Sequence, residues 1–542
     1  IAQYSRRLGS CRSVAMRSLL IISVLFALAH DVYSARILGL FPHTGKSHQM
    51  VFDPLLRRLA ERGHDVTVVS FFPVKNPPAN YTDVSLQGLA NLGLEVIDLT
   101  LYENPSKLLR LLGLDKIVRQ VSDFQPLADM ALNVCSKLVS YKPLADALKK
   151  EYDVVLVESF NSDCMIGLAH VYGQKAPFIY LASSGMMQWV PNRIGLTDNP
   201  SYVPLVSSEF ANPMSFMQRL ENSFLNIYYK LWYRYSIQLK EKEVIEKHFG
   251  RRIPDLQDLG KNVSAILVNV YHSLYGVKPL LPGVVEVGGM HLDHTRKPIP
   301  HYIERFLNES DHGVVLLSFG SLIKTATMPK YREEMIVNAL SKIKQRVIWK
   351  YEESGEEGTL IGNIMKVRWI PQYELLQHPK VIAFIGHGGN LGMTEAVSAG
   401  KPMLVVPFFG DQPYNGAAAA AVNFGKVVHY TELTEKALLE GLQSVLSAEM
   451  RLSARRASKI WKDRQADPLD TAVYWIERII RWGHQAPLHS AARDLPLYQY
   501  LLLDVAATFI LAIIILIVML RILLVLILRF VSGSVNAKDK LH

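Results

Sequence analysis

The chain has 542 residues, enough for two ordinary cores with appendages, and 49% of them are hydrophobic, high without being membrane-like throughout. Its formal charge of +10 comes from Lys and Arg scattered along the sequence, with no dense basic run and no nucleic-acid motif. A nucleic-acid partner is therefore not expected, and an anionic ligand or anionic lipid surface fits the balance.

In chain order, residues 1–34 read as leader and signal peptide. Met16 reads as the start, Arg17 as a positive n-region, Leu19 to Ala29 as an apolar h-region, and Val32-Tyr33-Ser34 as a small-residue cleavage site, so the mature chain is expected to begin near Ala35. Only Cys135 and Cys164 then remain, which permits one disulfide and excludes a disulfide framework. Asn80, Asn262 and Asn308 are permitted glycosylation acceptors.

Arg36 to Phe41, Asp65 to Ser70, Glu95 to Leu99, Asp153 to Glu158, Phe178 to Ala182 and Ala265 to Asn269 read as strands, with His48 to Arg62 largely helical. A second series follows at Gly313 to Phe319, Arg346 to Tyr351, Lys366 to Ile370, Ile382 to Ile385 and Met403 to Val406. Strands alternating with helices predict an α/β fold of two doubly wound parallel sheets, an N-terminal domain over 35–285 and a C-terminal domain over 286–485. The Pro- and Gly-rich stretch from Leu281 to Pro300 reads as the linker. Late helical patterns at Ala454 to Lys462 and Pro468 to Trp482 are expected to pack back across the first domain. Two further stretches admit two readings. Leu108, Leu109, Leu111, Leu112, Leu114, Ile117 and Val118 are interleaved with Lys107, Arg110, Lys116 and Arg119, and Phe224, Tyr228, Tyr229, Trp232 and Tyr235 recur at helical spacing. Core packing with solvated charges explains both; an acceptor pocket with a membrane-facing lip is the alternative.

In doubly wound sheets, ligands sit beyond the carboxyl ends of the strands. His48 is placed in the loop after the first strand, and Glu158 ends the strand beginning at Asp153, so both are expected at one edge of the cleft. A neutral His held in one tautomer by a carboxylate can take a proton from a hydroxyl. Asp163, five residues beyond Glu158, is the rival partner and also reads as a helix-start residue.

From Trp369 to Asn415 the sequence reads WIPQYELLQHPKVIAFIGHGGNLGMTEAVSAGKPMLVVPFFGDQPYN. The apolar run Ile382 to Ile385 stops at Gly386-His387-Gly388-Gly389, and a helical pattern follows from about Leu391 to Ala399. Adjacent glycines admit a ligand close to the backbone, and the unpaired N–H groups of the helix start favour a diphosphate there. His387 adds a donor, and Glu395 can accept from ribose hydroxyls. Trp369 offers a flat face and Gln372 an amide for a uracil base. Asp411 and Gln412, after the strand Met403 to Val406, can grip the hydroxyls of an attached sugar.

This ordered set closely resembles the donor-binding signature of the UDP-glycosyltransferases, membrane-bound enzymes that conjugate small lipophilic molecules. The resemblance runs from about Arg36 to Arg529 and is nearest to the arthropod members. It implies the GT-B fold, two Rossmann-like domains facing a cleft, and matches His48 to the family's catalytic histidine and Ser321 to a phosphate contact. It also implies a partner for His48 at the position of Glu158, where the family usually has Asp. Three positions depart from the family pattern: Gly386 replaces Thr or Ser, Leu391 stands where many members have Asn, and Gly392 where many have Ser. Backbone donors at the helix start survive those changes. No Asp-x-Asp pair occurs and no cluster has zinc-ligand spacing, so no metal and no cofactor are expected, UDP-sugar being a co-substrate.

After a juxtamembrane segment at 486–504, Val505 to Leu528 is apolar except for Thr508 and Arg521, about 36 Å of helix against a hydrocarbon core of about 30 Å. Residues 505–528 therefore read as a transmembrane helix. Arg529, Lys538 and Lys540 beyond it predict a cytoplasmic tail at 529–542 and a lumenal body. The ending Lys538-Asp539-Lys540-Leu541-His542 resembles a dilysine retrieval signal of the endoplasmic reticulum, or is a merely basic tail. The expected function is inverting transfer of a hexose, glucose by the arthropod-like resemblance, from a UDP-sugar to a hydroxyl of a small lipophilic acceptor in detoxification or endogenous conjugation. Membrane lipid is the further partner, and a homo-oligomer is left open. The rival class is a non-catalytic nucleotide-sugar sensor or scaffold.

Overall fold

The computed structural model describes residues 34–92, 97–103, 108, 111, 115–292 and 297–538. The signal segment before Ser34 and the last four residues of the dilysine-like ending lie outside these residues.

Sixteen strands occur in chain order among the described residues. The first eight are β1 (Arg36–Phe41), β2 (Asp65–Ser70), β3 (Tyr81–Ser85), β4 (Ile97–Asp98), β5 (Val154–Glu158), β6 (Phe178–Ala182), β7 (Val263–Val268) and β8 (Val284–Glu286). All but β4 form a parallel sheet of order β3-β2-β1-β5-β6-β7-β8. The second eight are β9 (Val314–Ser318), β10 (Ile323–Lys324), β11 (Arg346–Lys350), β12 (Thr359–Ile361), β13 (Ile364–Val367), β14 (Val381–Gly386), β15 (Met403–Val405) and β16 (Gly425–Val427). Seven of them form a sheet of order β12-β13-β11-β9-β14-β15-β16, antiparallel only at its β12 edge. The central strands are short apolar runs buried on both faces, as parallel sheets covered by helices require. Ala35, at the expected start of the mature chain, is buried just ahead of β1.

The helices that position the site are α1 (Lys46–Glu61), α2 (Asp115–Ser122), α3 (Gln125–Leu138), α4 (Cys164–Val171), α5 (Phe216–Tyr233), α6 (Leu239–Phe249), α7 (Asn390–Ala399), α8 (Gln412–Ala421), α9 (Ala448–Lys462), α10 (Pro468–Trp482) and α11 (Leu503–Lys538). A disulfide between Cys135 and Cys164 ties α3 to the start of α4.

Four expectations need correction. The stretch read as the linker, 281–300, contains β8, which closes the edge of the first sheet. The strand expected at 95–99 is only Ile97–Asp98, and it pairs with Ile323 and Lys324 of the second half instead of joining the first sheet. Leu99 follows it into the apolar core beneath the second sheet, beside Leu317 and Phe319. Of the two late helices only α10 crosses to the first half, where Ala472, Val473, Ile476 and Ile479 pack with Val51, Phe52 and Leu55 of α1. Its polar face adds ion pairs from Arg62 to Glu477 at 2.6 Å and from Arg58 to Asp470 at 3.1 Å. α9 stays on the second half, with Ala454 in the core that holds Ala396 and Val397 of α7. Finally, His48 lies in the first turn of α1, not in the loop before it.

Residues 490–542 form a separate compact unit from 1–489. Its helix α11 carries, between Leu503 and Ser532, an 18-residue window of mean hydropathy 3.4 with none of it buried, and the stretch is long and apolar enough to cross a bilayer.

Candidate active site

At the carboxyl edge of the first sheet, β1 delivers α1 and β5 delivers Glu158. His48 Nδ1 lies 2.5 Å from Glu158 Oε1 and 2.9 Å from Ser183 Oγ, which follows β6. Glu158 is buried, whereas His48 keeps part of its ring at the cleft. A carboxylate accepts only, so the Nδ1–H of His48 donates to Glu158 and the Nε2 lone pair is the basic end. The His43 ring stacks on His48 with centroids 3.8 Å apart and 10° between planes, and Phe160 meets His48 edge-on at 4.6 Å. Burial and then the His48 charge hold His43 down to about 3, so it stays neutral. Its Nδ1 accepts the Gly45 N–H at 2.9 Å.

Asp163 is engaged elsewhere. It is buried, and its Oδ2 accepts from Arg193 Nη2 at 2.7 Å and Gln238 Nε2 at 2.8 Å. Its backbone N–H donates to Glu241, a carboxyl that burial and the nearby Asp163 charge push up to about 8.

In the second half, the turn after β9, the turn after β14 and the start of α8 converge because glycines stand where side chains would collide. Gly388 has φ +84°, and a Cβ there would lie 2.9 Å from the Gln412 carbonyl oxygen. Gly320, at φ +76°, brings its backbone against His387, to whose Cε1 a Cβ would approach within 2.7 Å. The first internal bond at the start of α7 runs from the Met393 N–H to the Gly389 carbonyl, so the amides before Met393 face out of the helix end. Burial, with the Lys350 charge second, lowers His387 to about 4, making it a neutral donor. Ser321 is exposed just beyond β9. Trp369 is 59% exposed, its face free for stacking. Gln372 Nε2 donates to Glu395 Oε2 at 2.6 Å, and burial pushes the Glu395 carboxyl up to about 7 against that bond. Burial also raises Asp411, opposed first by its bond from Asn415 Nδ2 at 2.9 Å and then by the His48 charge. Asp411 and His48 therefore lie within electrostatic reach of each other. Gln412 uses its Oε1 to accept the Phe408 N–H at 3.0 Å, which leaves its amide N–H groups as the donors.

Sequence reasoning missed four residues here. Asn390 joins the halves: its Nδ2 donates to Asn269 O at 2.7 Å and Ser183 O at 3.2 Å, and its Oδ1 accepts from Tyr275. Lys350 donates to the Gly320 carbonyl at 2.9 Å from the end of β11. Ser183 and His43 flank His48. For Asn390 and Lys350 a usable signal existed, a polar residue directly after the glycine pair and a lysine ending an apolar strand; Ser183 and His43 depend on packing alone.

Two cavities border the cleft. One, about 510 Å³ with its solvent-open part, is lined by polar and aromatic groups including Arg119, Asp123, Phe408 and Tyr430, and burial pushes Asp123 up to about 7. The other, about 890 Å³ on the same measure, has apolar walls including Met186, Leu205, Val206 and Val268.

Two seven-stranded Rossmann-like sheets in one chain give the architecture of the GT-B fold. The solved glycotransferase of kitacinnamycin shares this fold, with a TM-score of 0.51 and 18% identity over 82% of this chain and 99% of that one. Residues 38–537 match the family described as UDP-glucoronosyl and UDP-glucosyl transferase. UDP-glycosyltransferase UGT5 of Dactylopius coccus is 37% identical over 88% of this chain and 89% of its own. UDP-glucosyltransferase 2 of the same insect is 33% identical over 90% and 92%, and UDP-glucuronosyltransferase 2A3 of Mus musculus 32% identical over 85% and 86%. The chain therefore belongs to the UDP-glucuronosyl and UDP-glucosyl transferase family and is an enzyme of UDP-sugar transfer.

Proposed function

We propose that this enzyme moves glucose from UDP-glucose, with inversion and without a metal ion, to a hydroxyl of a small lipophilic acceptor. The observation that carries the reading is the 2.5 Å contact of His48 Nδ1 with buried Glu158, which turns Nε2 to the cleft, within electrostatic reach of Asp411. Nε2 takes the acceptor hydroxyl proton as that oxygen attacks the anomeric carbon and the bond from that carbon to the UDP oxygen breaks. Glu158 steadies the imidazolium that forms. The charge growing on UDP meets the outward amides of α7, neutral His387 and the Ser321 hydroxyl. Trp369 stacks on the base with Gln372 beside it, Glu395 accepts from the ribose, and Asp411 and Gln412 hold the sugar. Glucose is favoured over glucuronate by the insect relative named as a glucosyltransferase. The apolar helix α11 and the sequence around it support a single-pass protein of the endoplasmic reticulum with its catalytic body lumenal. Purified enzyme should release UDP from UDP-glucose, in EDTA, with phenols or steroids present. Release from UDP-glucuronate alone would overturn the sugar assignment, and a strict need for magnesium or manganese would overturn the metal-free route.

A further inference from the structure

The helix α5 has an inverted surface. From Phe216 to Leu239 the exposed residues are Phe216, Met217, Leu220, Phe224, Ile227, Leu231 and Tyr235, each between 52% and 69% exposed and every one apolar or aromatic. They form one stripe about 30 Å long. Three of the four charges of this stretch are turned aside into pairs, Glu221 with Lys116 at 2.9 Å, Lys230 with Asp198 and Arg234 with Asp255, and the fourth, Arg219, donates to the Met214 carbonyl at 2.9 Å beside the Phe216 ring. The opposite face, with Leu225, Tyr229 and Trp232, fills the first core. Tyr229 donates to the Gln120 carbonyl at 2.6 Å and fastens α5 to α2, whose Val118 is also exposed. Leu108 and Leu111, just before α2, are 64% and 84% exposed in a sequence that alternates them with Lys107 and Arg110.

We propose that this face of α5 docks on a lipid bilayer, the apolar stripe entering the headgroup boundary. Two observations favour lipid over a protein occupant. A specific protein interface carries about one hydrogen bond per 100–200 Å² and a polar rim, whereas the exposed stripe offers a single hydroxyl, that of Tyr235. The chain also contains a helix able to cross a bilayer, so an anchored molecule meets that surface at high effective concentration. The proposal rests on anchoring by α11 and not on the role of His48. For the test, the full chain carrying Ile227→Cys is spin-labelled and placed one molecule per nanodisc of phosphatidylcholine and phosphatidylserine. A second sample carries the label at Glu440→Cys, on the exposed surface of the second half. The label at 227 should be several-fold more accessible to oxygen than to a water-soluble nickel complex, and the label at 440 the reverse. Nickel access at 227 equal to that at 440 would show a solvated face, and shielding from both agents would show a protein partner such as a second copy; either overturns the proposal.

Discussion

Glu158 and Asp163 are separated by four residues in the sequence, and their surroundings assign them different consequences on mutation. Glu158→Gln removes the negative charge that steadies the His48 imidazolium while keeping a buried polar side chain, so kcat should fall by about tenfold or more with UDP affinity unchanged. Asp163→Asn leaves Arg193 buried without its counter-charge, and the cost should appear as lost stability of about 3–5 kcal/mol in thermal unfolding. The opposite pattern, a catalytic defect at Asp163 and none at Glu158, would move the partner of His48. A second expectation concerns Glu395, whose carboxyl is held near 7 and is protonated in part at neutral pH. Its ionised form is the better acceptor for ribose hydroxyls, so UDP affinity should rise as pH is taken from 6 to 8, and Glu395→Gln should flatten that rise in calorimetric titrations. Both carboxyls were legible as candidates because strand ends and helix starts are readable. Choosing between Glu158 and Asp163 was not, since it depends on Arg193 and Gln238, which approach from distant parts of the chain.

Elements carried most of what could be read from the sequence. β1, β2, β6 and β9 appeared within a residue or so because each is a short apolar run bounded by turn residues. β3, β8, β10, β12 and β16 were missed: the first is half-exposed and mixed in polarity, and the other four span two or three residues, too short for a period to show. The aromatic series at 224–235 was read as one lip or one core, yet it divides between faces of a single helix, Tyr229 and Trp232 inward and Phe224 and Tyr235 outward. The glycine pair was read as permitting close approach of a ligand, and within the fold the group approaching Gly388 is the Gln412 backbone of α8. Gly388→Ala should therefore cost about 1–2 kcal/mol for the left-handed backbone and displace α8 as well. Weakened binding of UDP-glucose with a lowered melting temperature is the expected outcome; wild-type values of both would mean that the turn relaxes without moving Asp411 and Gln412.

On the scale of the whole molecule, the two sheets work as one device because three connections cross between them. β4 pairs with β10 close to Ser321, α10 returns to α1, and Asn390 bonds the ends of β6 and β7. Only the return of α10 was expected from the sequence; the other two were not visible, since β4 and β10 are more than 200 residues apart and Asn390 bonds backbone groups that carry no side-chain signal. Their effect is to bring a His–Glu pair from one half to the Asp411 end of the proposed donor site in the other. Parallel measurement of kcat and of UDP affinity in His48→Ala tests this division of labour most directly. The structure predicts a kcat lower by about 10²–10⁴-fold with UDP affinity within about twofold of wild type, because the groups proposed to hold the nucleotide all lie in the second half. Transfer at an undiminished rate, or loss of UDP binding along with it, would contradict the account.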